Sequence, residues 1–482
     1  MTTPDEPQHP ASEPGLSRRS LLHRSVTALG ITLGGSLPGL FGSNAAADDD
    51  MAAHPPEEIG YGPLVSDPAG ILSLPAGFTY TIVAKSGATT LDSGEPTPDD
   101  PDGTAAFVRR GANGSVLVNN HEIAGTEPYP VPQIPGFVYD SSAHGGTTNI
   151  EVDRRGNRVH EYVSLAGTHN NCAGGRTPWE TWITCEETEA ILGKRHGYCF
   201  EVDPYDQDAN RDPKPIKCLG RYAHESIAVD PRRHTIYLTE DAGKPNGLLY
   251  RWTPPSGALP LGKGSLKALQ DDAGTLEAMQ AFTGAGQLVP DLSLATQPGT
   301  TYCVRWLPVP ERDATKMPVR LQFPQITRSR KLEGMWWGEE GAYFAASFAR
   351  TSDGSAAQHD GQVWFIDPDR GTIELKLYFA YTPADQDNDP DGPDNISVSA
   401  YGGLILAERR RRQEPSRRRD RTRRGLLLRA QRAAGGQRVH RPDVLARQED
   451  PVREHPDAGT RLRDPGTISQ AALKRYTPST TT

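Results

Sequence analysis

Carboxylate residues stand beside His, Asn or Cys at several points where short apolar strands are predicted to end. The groups are Asn120-His121-Glu122, Cys185-Glu186-Glu187, His224-Glu225, Glu240-Asp241, Glu333-Gly334, Asp394-Asn395 and Ala407-Glu408. Carboxylate oxygens suit hard cations such as Ca²⁺, and one thiolate among them would favour a redox metal such as iron. Each group alone is more typical of an ordinary turn, but together they predict a metal site. Zinc is not expected, because the sequence has no His-rich ligand set.

Adjacent Glu186 and Glu187 are a particular sign of such a site. Two neighbouring carboxylates would repel each other if they were buried without counter-charge, and a metal ion would remove that cost. The chain has five cysteines, so in an exported protein at least one thiol cannot pair within the chain.

Short apolar strands that end in Asp-Pro or Asp-Arg turns recur along the chain. Examples are residues 148–153, 199–204, 226–231 and 363–368. Each leads into a polar turn and a further strand, which predicts an all-β fold made of propeller blades, with a β-sandwich as the alternative. Long inserts such as residues 255–300 interrupt the spacing. Strands that radiate from a central axis would bring carboxylates of different blades together at one end of a channel.

Residues 1–47 are predicted to be a targeting segment. Arg18-Arg19 precede an apolar run over residues 26–41 that is short for a membrane span, and Ala45-Ala46-Ala47 offer a cleavage site. An N-terminal anchor is the alternative interpretation. A cleaved signal predicts that residues 48–408 leave the cytoplasm through the twin-arginine translocase and act in the periplasm or outside the cell, with no stable membrane anchor.

The charge of the chain is unevenly distributed. The chain has 52 Lys and Arg against 61 Asp and Glu, but residues 409–482 hold 20 of the basic and 8 of the acidic ones. Residues 1–408 therefore carry a net charge of −21. Such an acidic body disfavours nucleic acid as a partner and leaves carboxylates available for hard cations, although solubility alone would also explain it.

Several longer motifs occur in a distinctive order between about residue 60 and residue 408. They are Asn120-His121-Glu122, Asn171-Cys172-Ala173-Gly174-Gly175, Thr184-Cys185-Glu186-Glu187, Gly220-Arg221-Tyr222-Ala223-His224-Glu225, Tyr237-Leu238-Thr239-Glu240-Asp241, Leu332-Glu333-Gly334-Met335-Trp336-Trp337 and Gly392-Pro393-Asp394-Asn395-Ile396. These motifs resemble the PhoX alkaline phosphatase family. The resemblance implies a six-bladed β-propeller with long loop insertions, whose channel holds Fe³⁺ and Ca²⁺, and which removes phosphate from varied monoesters at alkaline pH.

The same resemblance implies a set of metal ligands. Cys185 is the expected thiolate ligand of iron, with a buried inert thiol as the alternative, and the rival Cys172 is better explained by loop packing. Glu187 could instead accept hydrogen bonds from loop amides. The expected carboxylate ligands are Glu186, Glu122, Glu225, Glu240 and Glu333, followed by Asp241, Asp394 and Glu408. Arg176 and Arg350 are candidates for bidentate phosphate binding, with ordinary salt bridges as the alternative.

Hydrolysis of a phosphate monoester requires a nucleophile and neutralised phosphoryl oxygens. The sequence shows no Ser-His-Asp arrangement and no phosphate-binding Gly-Lys-Ser/Thr loop, so no side chain is assigned as the nucleophile. Grouped metals could polarise the phosphoryl group and supply a metal-bound oxygen instead. Two alternatives remain open, a calcium-dependent propeller lactonase that needs no thiolate and a non-enzymatic, metal-stabilised binding propeller. We expect a monomer that acts on small-molecule phosphomonoesters.

Residues 409–482 depart from the strand pattern. Residues 409–464 include 18 arginines and no Phe, Tyr or Trp. A disordered basic tail is the literal interpretation, but we favour a coding sequence read out of frame. In the PhoX-like pattern the strand that ends at Glu408 continues with Asp-Gly, and later with Gly-Ser-Glu-Phe-Thr-Gly-Pro-Thr-Phe-Ser-Pro-Asp. GC-rich codons for that second segment, read in a shifted frame, give the sequence of residues 437–447.

An out-of-frame tail would leave the last blade incomplete, with open strand edges. The chain as written is therefore expected to be poorly folded or inactive, and restoring the frame after Glu408 is expected to recover cooperative unfolding and phosphatase turnover. Thermal unfolding and p-nitrophenyl phosphate hydrolysis of the two proteins measure the difference. An intact frame on resequencing, with normal turnover by the 482-residue chain, would contradict this prediction.

Overall fold

The computed structural model describes residues 64–65, 68, 74–111, 113–382, 392–399, 403–408 and 425–427. Antiparallel strands dominate these ranges, so the predicted strand-and-turn fold is confirmed. One turn of α-helix, α1 (Ser265–Ala268), accompanies 3-10 turns at Asp208–Asn210, Lys217–Leu219, Ser256–Ala258, Leu292–Leu294, Val319–Leu321 and Thr351–Asp353. None of the helices within the described ranges has the length and apolar character needed to cross a membrane. The predicted signal, residues 1–47, lies outside these ranges.

The N-terminal part of the described chain forms three separate antiparallel sheets. A short pair consists of β1 (Leu64–Val65) and β2 (Leu74–Pro75). A four-stranded meander follows, made of β3 (Pro101–Val108), β4 (Gly114–His121), β5 (Gly145–Asp153) and β6 (Arg158–Thr168). The third sheet contains β7 (Asn171–Arg176), β8 (Trp182–Glu186) and β9 (Cys199–Val202).

Two further meanders join in one ten-stranded sheet. Its strands are β10 (His224–Val229), β11 (Ile236–Glu240), β12 (Leu249–Thr253), β13 (Thr275–Phe282), β14 (Leu288–Val289), β15 (Thr301–Pro308), β16 (Leu332–Trp337), β17 (Ala342–Ala346), β18 (His359–Asp367) and β19 (Thr372–Ala380). The strand order is β10-β11-β12-β13-β15-β19-β18-β17-β16, with β14 paired to β13. Since β15 pairs with both β13 and β19, it connects the outer strands of the two meanders.

The last sheet contains β20 (Pro393–Val398), β21 (Leu404–Glu408) and β22 (Gly425–Leu427). Strand β22 pairs antiparallel with β21 and is the part of the Arg-rich tail that the structure describes. The rest of residues 409–482 lies outside the described residues, so the out-of-frame interpretation stays a prediction.

The central strands are buried on both faces. In β11, Ile236 and Leu238 enter one apolar cluster, which also contains Tyr250 and Trp252 of β12. Tyr237, between them in sequence, enters a second cluster on the opposite face. Alternate side chains of a strand point to opposite faces, so the sheet packs between two cores. This explains why these strands read as continuous apolar runs.

Five groups of consecutive antiparallel strands, called units below, begin with β3, β7, β10, β16 and β20. The first strand of each unit has a β-bulge or similar irregularity near its start. Pairing is interrupted between Pro101 and Thr104, Asn171 and Gly174, His224 and Ile227, Leu332 and Met335, and Pro393 and Ile396. In each case the second residue of the strand lies inside the interruption. Bulges re-aim side chains and are common beside active sites. The re-aimed residues are Asp102, Cys172, Glu225, Glu333 and Asp394.

Gly334 allows two of these strands to approach closely. A Cβ atom at this position would lie 2.6 Å from Asn395 Oδ1 and 2.8 Å from Asn395 Cα. The neighbouring residues, Glu333 and Asp394, both carry carboxylates, so a larger residue at position 334 would push these two carboxylates apart.

We therefore expect Gly334→Ala to lower the free energy of unfolding by about 1–3 kcal/mol, the usual cost of overpacking. Chemical denaturation followed by circular dichroism measures this cost. The matched control is Gly257→Ala, because a Cβ there meets no atom within 4 Å. Equal stabilities of the two variants would show that the close approach is unimportant.

Candidate metal centre

Two groups of potential metal ligands lie side by side and share one residue. Cys172, Glu187 and Glu225 offer ligand atoms within 4.8 Å of one another, and so do Glu225, Glu333 and Asp394. Apart from the partly exposed Glu187, all of these residues are buried. Glu225 belongs to both groups and could therefore bridge two ions.

The second residues of the bulged strands supply most of this cluster. Cys172, Glu225, Glu333 and Asp394 come from β7, β10, β16 and β20, which belong to three different sheets. Asp102 of β3 is also buried, and its charge raises the pKa of Glu225 after the larger effects of burial, Glu333 and Glu187. The same local backbone feature thus brings donors of distant sequence positions together.

A second set of carboxylates directly follows the neighbouring strands. Glu122, Glu187 and Asp241 come immediately after β4, β8 and β11. Asn170 Nδ2 lies 3.4 Å from Glu122 Oε1 and 3.5 Å from Glu187 Oε2. These residues bring further negative charge to the edge of the cluster.

The raised pKa values of the carboxylates in the cluster indicate that it would bind cations. Burial, followed by the charges of Glu333 and Glu187, raises the pKa of Glu225 well above its ordinary value. Burial and Asp241 do the same for Glu187. Burial raises the pKa of Glu333 to about 8, although Lys331 acts in the opposite direction. Carboxylates that resist ionisation for lack of counter-charge fit a hard divalent or trivalent cation.

The thiol of Cys172 is in a similar position. Burial, then the charges of Glu225 and Glu187, raise its pKa well above the ordinary value. Its Sγ lies 3.3 Å from His224 O and 3.5 Å from Glu225 O. A metal ion would be needed to hold this sulfur as a thiolate, since a coordinated thiol loses its proton. The donor set therefore fits a metal centre with one sulfur ligand.

Lys331 is the cation inside this cluster. Its Nζ forms ion pairs with Asp241 and, at 2.7 Å, with Glu333 Oε1. Burial would lower the pKa of Lys331, but Asp241 and Glu333 raise it well above its ordinary value, so the ammonium stays charged. Arg330 Nη1 lies 3.2 Å from the other oxygen of Asp241. Within the described residues, Arg330 and Lys331 pair with Asp241, while Asp102, Glu122, Glu187, Glu225, Glu333 and Asp394 add six further carboxylates at or beside the cluster.

The structure does not bring Cys185 to this cluster as the sequence interpretation expected. Its side chain is fully buried in the apolar core, with Sγ 3.7 Å from Cys199 Sγ on the paired strand. The buried, inert thiol that was the alternative interpretation describes this environment. Cys172, the rival assigned to loop packing, has the carboxylates around it, so it replaces Cys185 as the candidate thiolate.

Glu186 and Glu240 also lie away from the cluster. Glu186 accepts hydrogen bonds from the backbone amides of His169, Gly197 and Tyr198 and from the ring of His196. Glu240 accepts from Leu248 N and Tyr250 OH and pairs with Arg320. Adjacent strand residues point in opposite directions, so Glu187 and Asp241 reach the cluster in their place. The role of amide acceptor, expected for Glu187, belongs to Glu186.

Neither arginine singled out for phosphate binding reaches the cluster. Arg176 ends β7, four residues beyond Cys172, and lies over the ring of Phe107 at 4.7 Å. Arg350 pairs with Asp360 and donates to Ala349 O. Lys331 and Arg330 are the cations that the fold places there instead. The side chain of Glu408 lies outside the described residues.

Sequence reasoning placed Glu122, Glu225, Glu333, Asp241 and Asp394 in one site, and the structure brings them together. It missed Asp102, Lys331 and the roles of Cys172 and Glu187. Asp102 lacks a neighbouring His, Asn or Cys in the sequence. Asp102 and Cys172 are second in a first strand and Glu187 directly follows a second strand, and this position is the signal that could have found them. Lys331, which directly precedes β16, has no such signal.

Comparison with known proteins gives an independent result. The model of the family described as alkaline phosphatase PhoX matches residues 59–161 and 155–458. A comparison with curated protein sequences finds no significant match. Pseudomonas fluorescens PhoX, solved in complex with vanadate as a transition state analogue, is similar in structure, with a TM-score of 0.55 at 17% identity over 77% of this chain and 86% of that one.

Two other similar structures have much lower scores. The periplasmic gluconolactonase PpgL of Pseudomonas aeruginosa has a TM-score of 0.28 at 11% identity, over 67% of this chain and 80% of its own. A glucose dehydrogenase has a TM-score of 0.30 at 12% identity, over 71% and 91%. The likeness to P. fluorescens PhoX shows a shared fold, and the family model covers most of the sequence. The chain belongs to the alkaline phosphatase PhoX family.

Proposed function

We propose that this phosphatase hydrolyses phosphomonoesters at a mixed iron and calcium centre held by Cys172, Glu187, Glu225, Glu333 and Asp394. The observation that carries the proposal is the shared position of Glu225 in two groups of potential ligands. The sulfur-containing group, with Cys172 and Glu187, suits iron, and the all-oxygen group, with Glu333 and Asp394, suits calcium. Ions bound there would polarise the phosphoryl oxygens and supply an activated water at ordinary pH.

The residues of the chain have separate tasks in this proposal. Lys331 presents a charged ammonium between Asp241 and Glu333, where it can hold a phosphoryl oxygen and offset the charge that develops during transfer. Asp241, itself paired with Arg330 and Lys331, keeps that ammonium in place. Burial raises the pKa of Asp241, but Lys331, Glu187 and Arg330 together lower it below its ordinary value, so this carboxylate stays ionised.

The architecture proposed for residues 48–408 is a six-bladed propeller with the centre at one end of its channel. Five first strands, each with its potential ligand in second position, support this arrangement. The paired Arg18-Arg19 before an apolar run support export through the twin-arginine translocase into the periplasm or medium. The protein would act there as a monomer on small phosphomonoesters.

In the protein with its frame restored after Glu408, Cys172→Ala is expected to lower phosphatase activity by more than about 100-fold, since loss of a ligand should exceed the 10–100-fold typical of a residue that supports one. It should also lower the iron content per chain. Rates of p-nitrophenyl phosphate hydrolysis and elemental analysis measure the two effects. Cys185→Ala is the matched control, because this thiol is equally buried but contacts Cys199. Iron retention by Cys172→Ala would rule out the assignment.

The metal-free chain is expected to lose stability as the pH rises. The folded pKa of Glu333 is raised to about 8, so the stability it contributes is complete below its unfolded pKa of about 4.3 and disappears as the pH passes 8. Linkage gives a loss of about 3 kcal/mol between pH 6 and pH 9. Denaturation of chelator-treated protein at the two pH values measures this loss.

Calcium is expected to reverse this loss, so its stabilising effect should be larger at pH 9 than at pH 6. The Glu333→Gln variant provides the control, because it has no charge to bury and its metal-free stability should vary less with pH. A calcium effect of equal size at both pH values would argue against a carboxylate site for this ion.

A further inference from the structure

Glu186 is a buried carboxylate with every acceptor position in use. Its Oε1 accepts from His169 N at 2.9 Å and His196 Nδ1 at 2.7 Å, and its Oε2 accepts from Gly197 N at 2.8 Å and Tyr198 N at 3.1 Å. A carboxylate has about four lone-pair sites, so none is left for a metal ion. The side chain is fully buried and therefore acts on the structure around it.

His196 extends the network to a third buried group. Its Nε2 donates to Asp140 Oδ2 at 3.1 Å, while the other oxygen, Asp140 Oδ1, accepts from Ser142 N. His196 is fully buried and Asp140 is 4% exposed. The ring of Tyr139 packs edge-on against His196, with ring centroids 5.5 Å apart. Both partners of the ring are carboxylates, so His196 donates from both nitrogens as an imidazolium. These two hydrogen bonds fix the ring and in turn the Glu186 carboxylate.

The network holds the backbone on both sides of the candidate ligands. Glu186 directly precedes Glu187, whose amide donates to Asn170 O at 2.9 Å. Asn170 adopts a left-handed backbone conformation (φ 57°) and follows His169, the residue held by Glu186. Two residues further along this segment lies Cys172. The Glu186 carboxylate thus connects the segment that contains the candidate thiolate Cys172 with the strand end that precedes the candidate ligand Glu187.

A second copy of the arrangement occurs at the next sheet. Glu240 ends β11 as Glu186 ends β8, and it is also fully buried and held by Leu248 N, Tyr250 OH and Arg320. The following residue, Asp241, points to the cluster and pairs with Lys331. A held carboxylate followed by a cluster-facing one therefore occurs at the ends of two strands, β8 and β11.

We propose that Glu186, held by His196 and Asp140, is a positioning residue that sets Glu187 and the Cys172 segment for metal binding. The inference rests on the proposed metal centre. Substitution of residues that orient metal ligands without binding the metal themselves typically changes metal affinity by 10–100-fold. Asp140 also accepts from Lys194 N and Ser142 N but forms no hydrogen bond with Glu187 or Cys172 among the described residues, so His196 and Glu186 form the hydrogen-bonded route from Asp140 to the candidate ligands.

The test compares Asp140→Asn and Glu186→Gln with a matched control in the full chain. Glu161→Gln is the control, because Glu161 is also fully buried and accepts from Thr97 Oγ1 and Arg158 Nη1 in a part of the β6 strand away from the cluster. Elemental analysis after dialysis against increasing concentrations of chelator gives the chelator concentration that removes half of the iron. Circular dichroism and thermal unfolding show which variants are folded.

We expect that chelator concentration to fall by about 10-fold or more in Asp140→Asn and Glu186→Gln, and to stay unchanged in Glu161→Gln even if its melting temperature falls. Excess iron should then recover p-nitrophenyl phosphate hydrolysis in both network variants. If the parent protein holds iron and folded Asp140→Asn holds it equally well, the positioning role is overturned while the metal centre stands. If the parent protein itself holds no iron, the proposed centre fails, and this inference with it.

Discussion

Buried negative charge is the constraint on which the rest of this structure depends. Glu225, Glu333 and Asp394 are each at most 3% exposed and lie within contact distance of one another, with Lys331 as the nearby ammonium. A buried carboxylate without compensation is costly and takes up a proton instead. Strands from three sheets converge on this point, so their packing and the charge compensation are linked. Cations that occupy the cluster would stabilise the fold as well as perform chemistry.

The fold places the candidate ligands with one backbone feature that recurs in several strands. An interruption of pairing turns the second residue of a first strand inward, as at Cys172 and Glu225, and the partner strand ends beside it in a buried polar residue. The residue after that end, such as Glu187, then faces the cluster. Because successive side chains alternate, two adjacent carboxylates cannot share a role. One satisfies backbone donors and the other is available to a cation.

This alternation explains how far the sequence could be interpreted. Strands such as β5 and β18, and the motifs that carry Glu225 and Glu333, are evident from apolar runs and turn residues. The sequence does not show which of Glu186 and Glu187 faces the cluster. That depends on the direction of the amides of Gly197 and Tyr198, which approach from a separate loop. The position of Cys172 depends likewise on an irregular pairing that has no local sequence signature. Composition reveals the ligand types, and only tertiary contacts determine which of two neighbours binds.

The residue that follows the end of each second strand is also informative about the C-terminal region. Strands β4, β8, β11 and β21 end at His121, Glu186, Glu240 and Glu408. The first three are followed in sequence by the acidic residues Glu122, Glu187 and Asp241, but Glu408 is followed by Arg409. Three of the four other units thus supply a carboxylate at this position, while β17 is followed by Ser347, and a cation-binding cluster gains nothing from an arginine there. Since the PhoX-like pattern has Asp there, the departure from the repeat begins at the same residue as the run of arginines. The shift of reading frame predicted after Glu408 would account for both changes at once, whereas a natural basic tail would account only for the arginines.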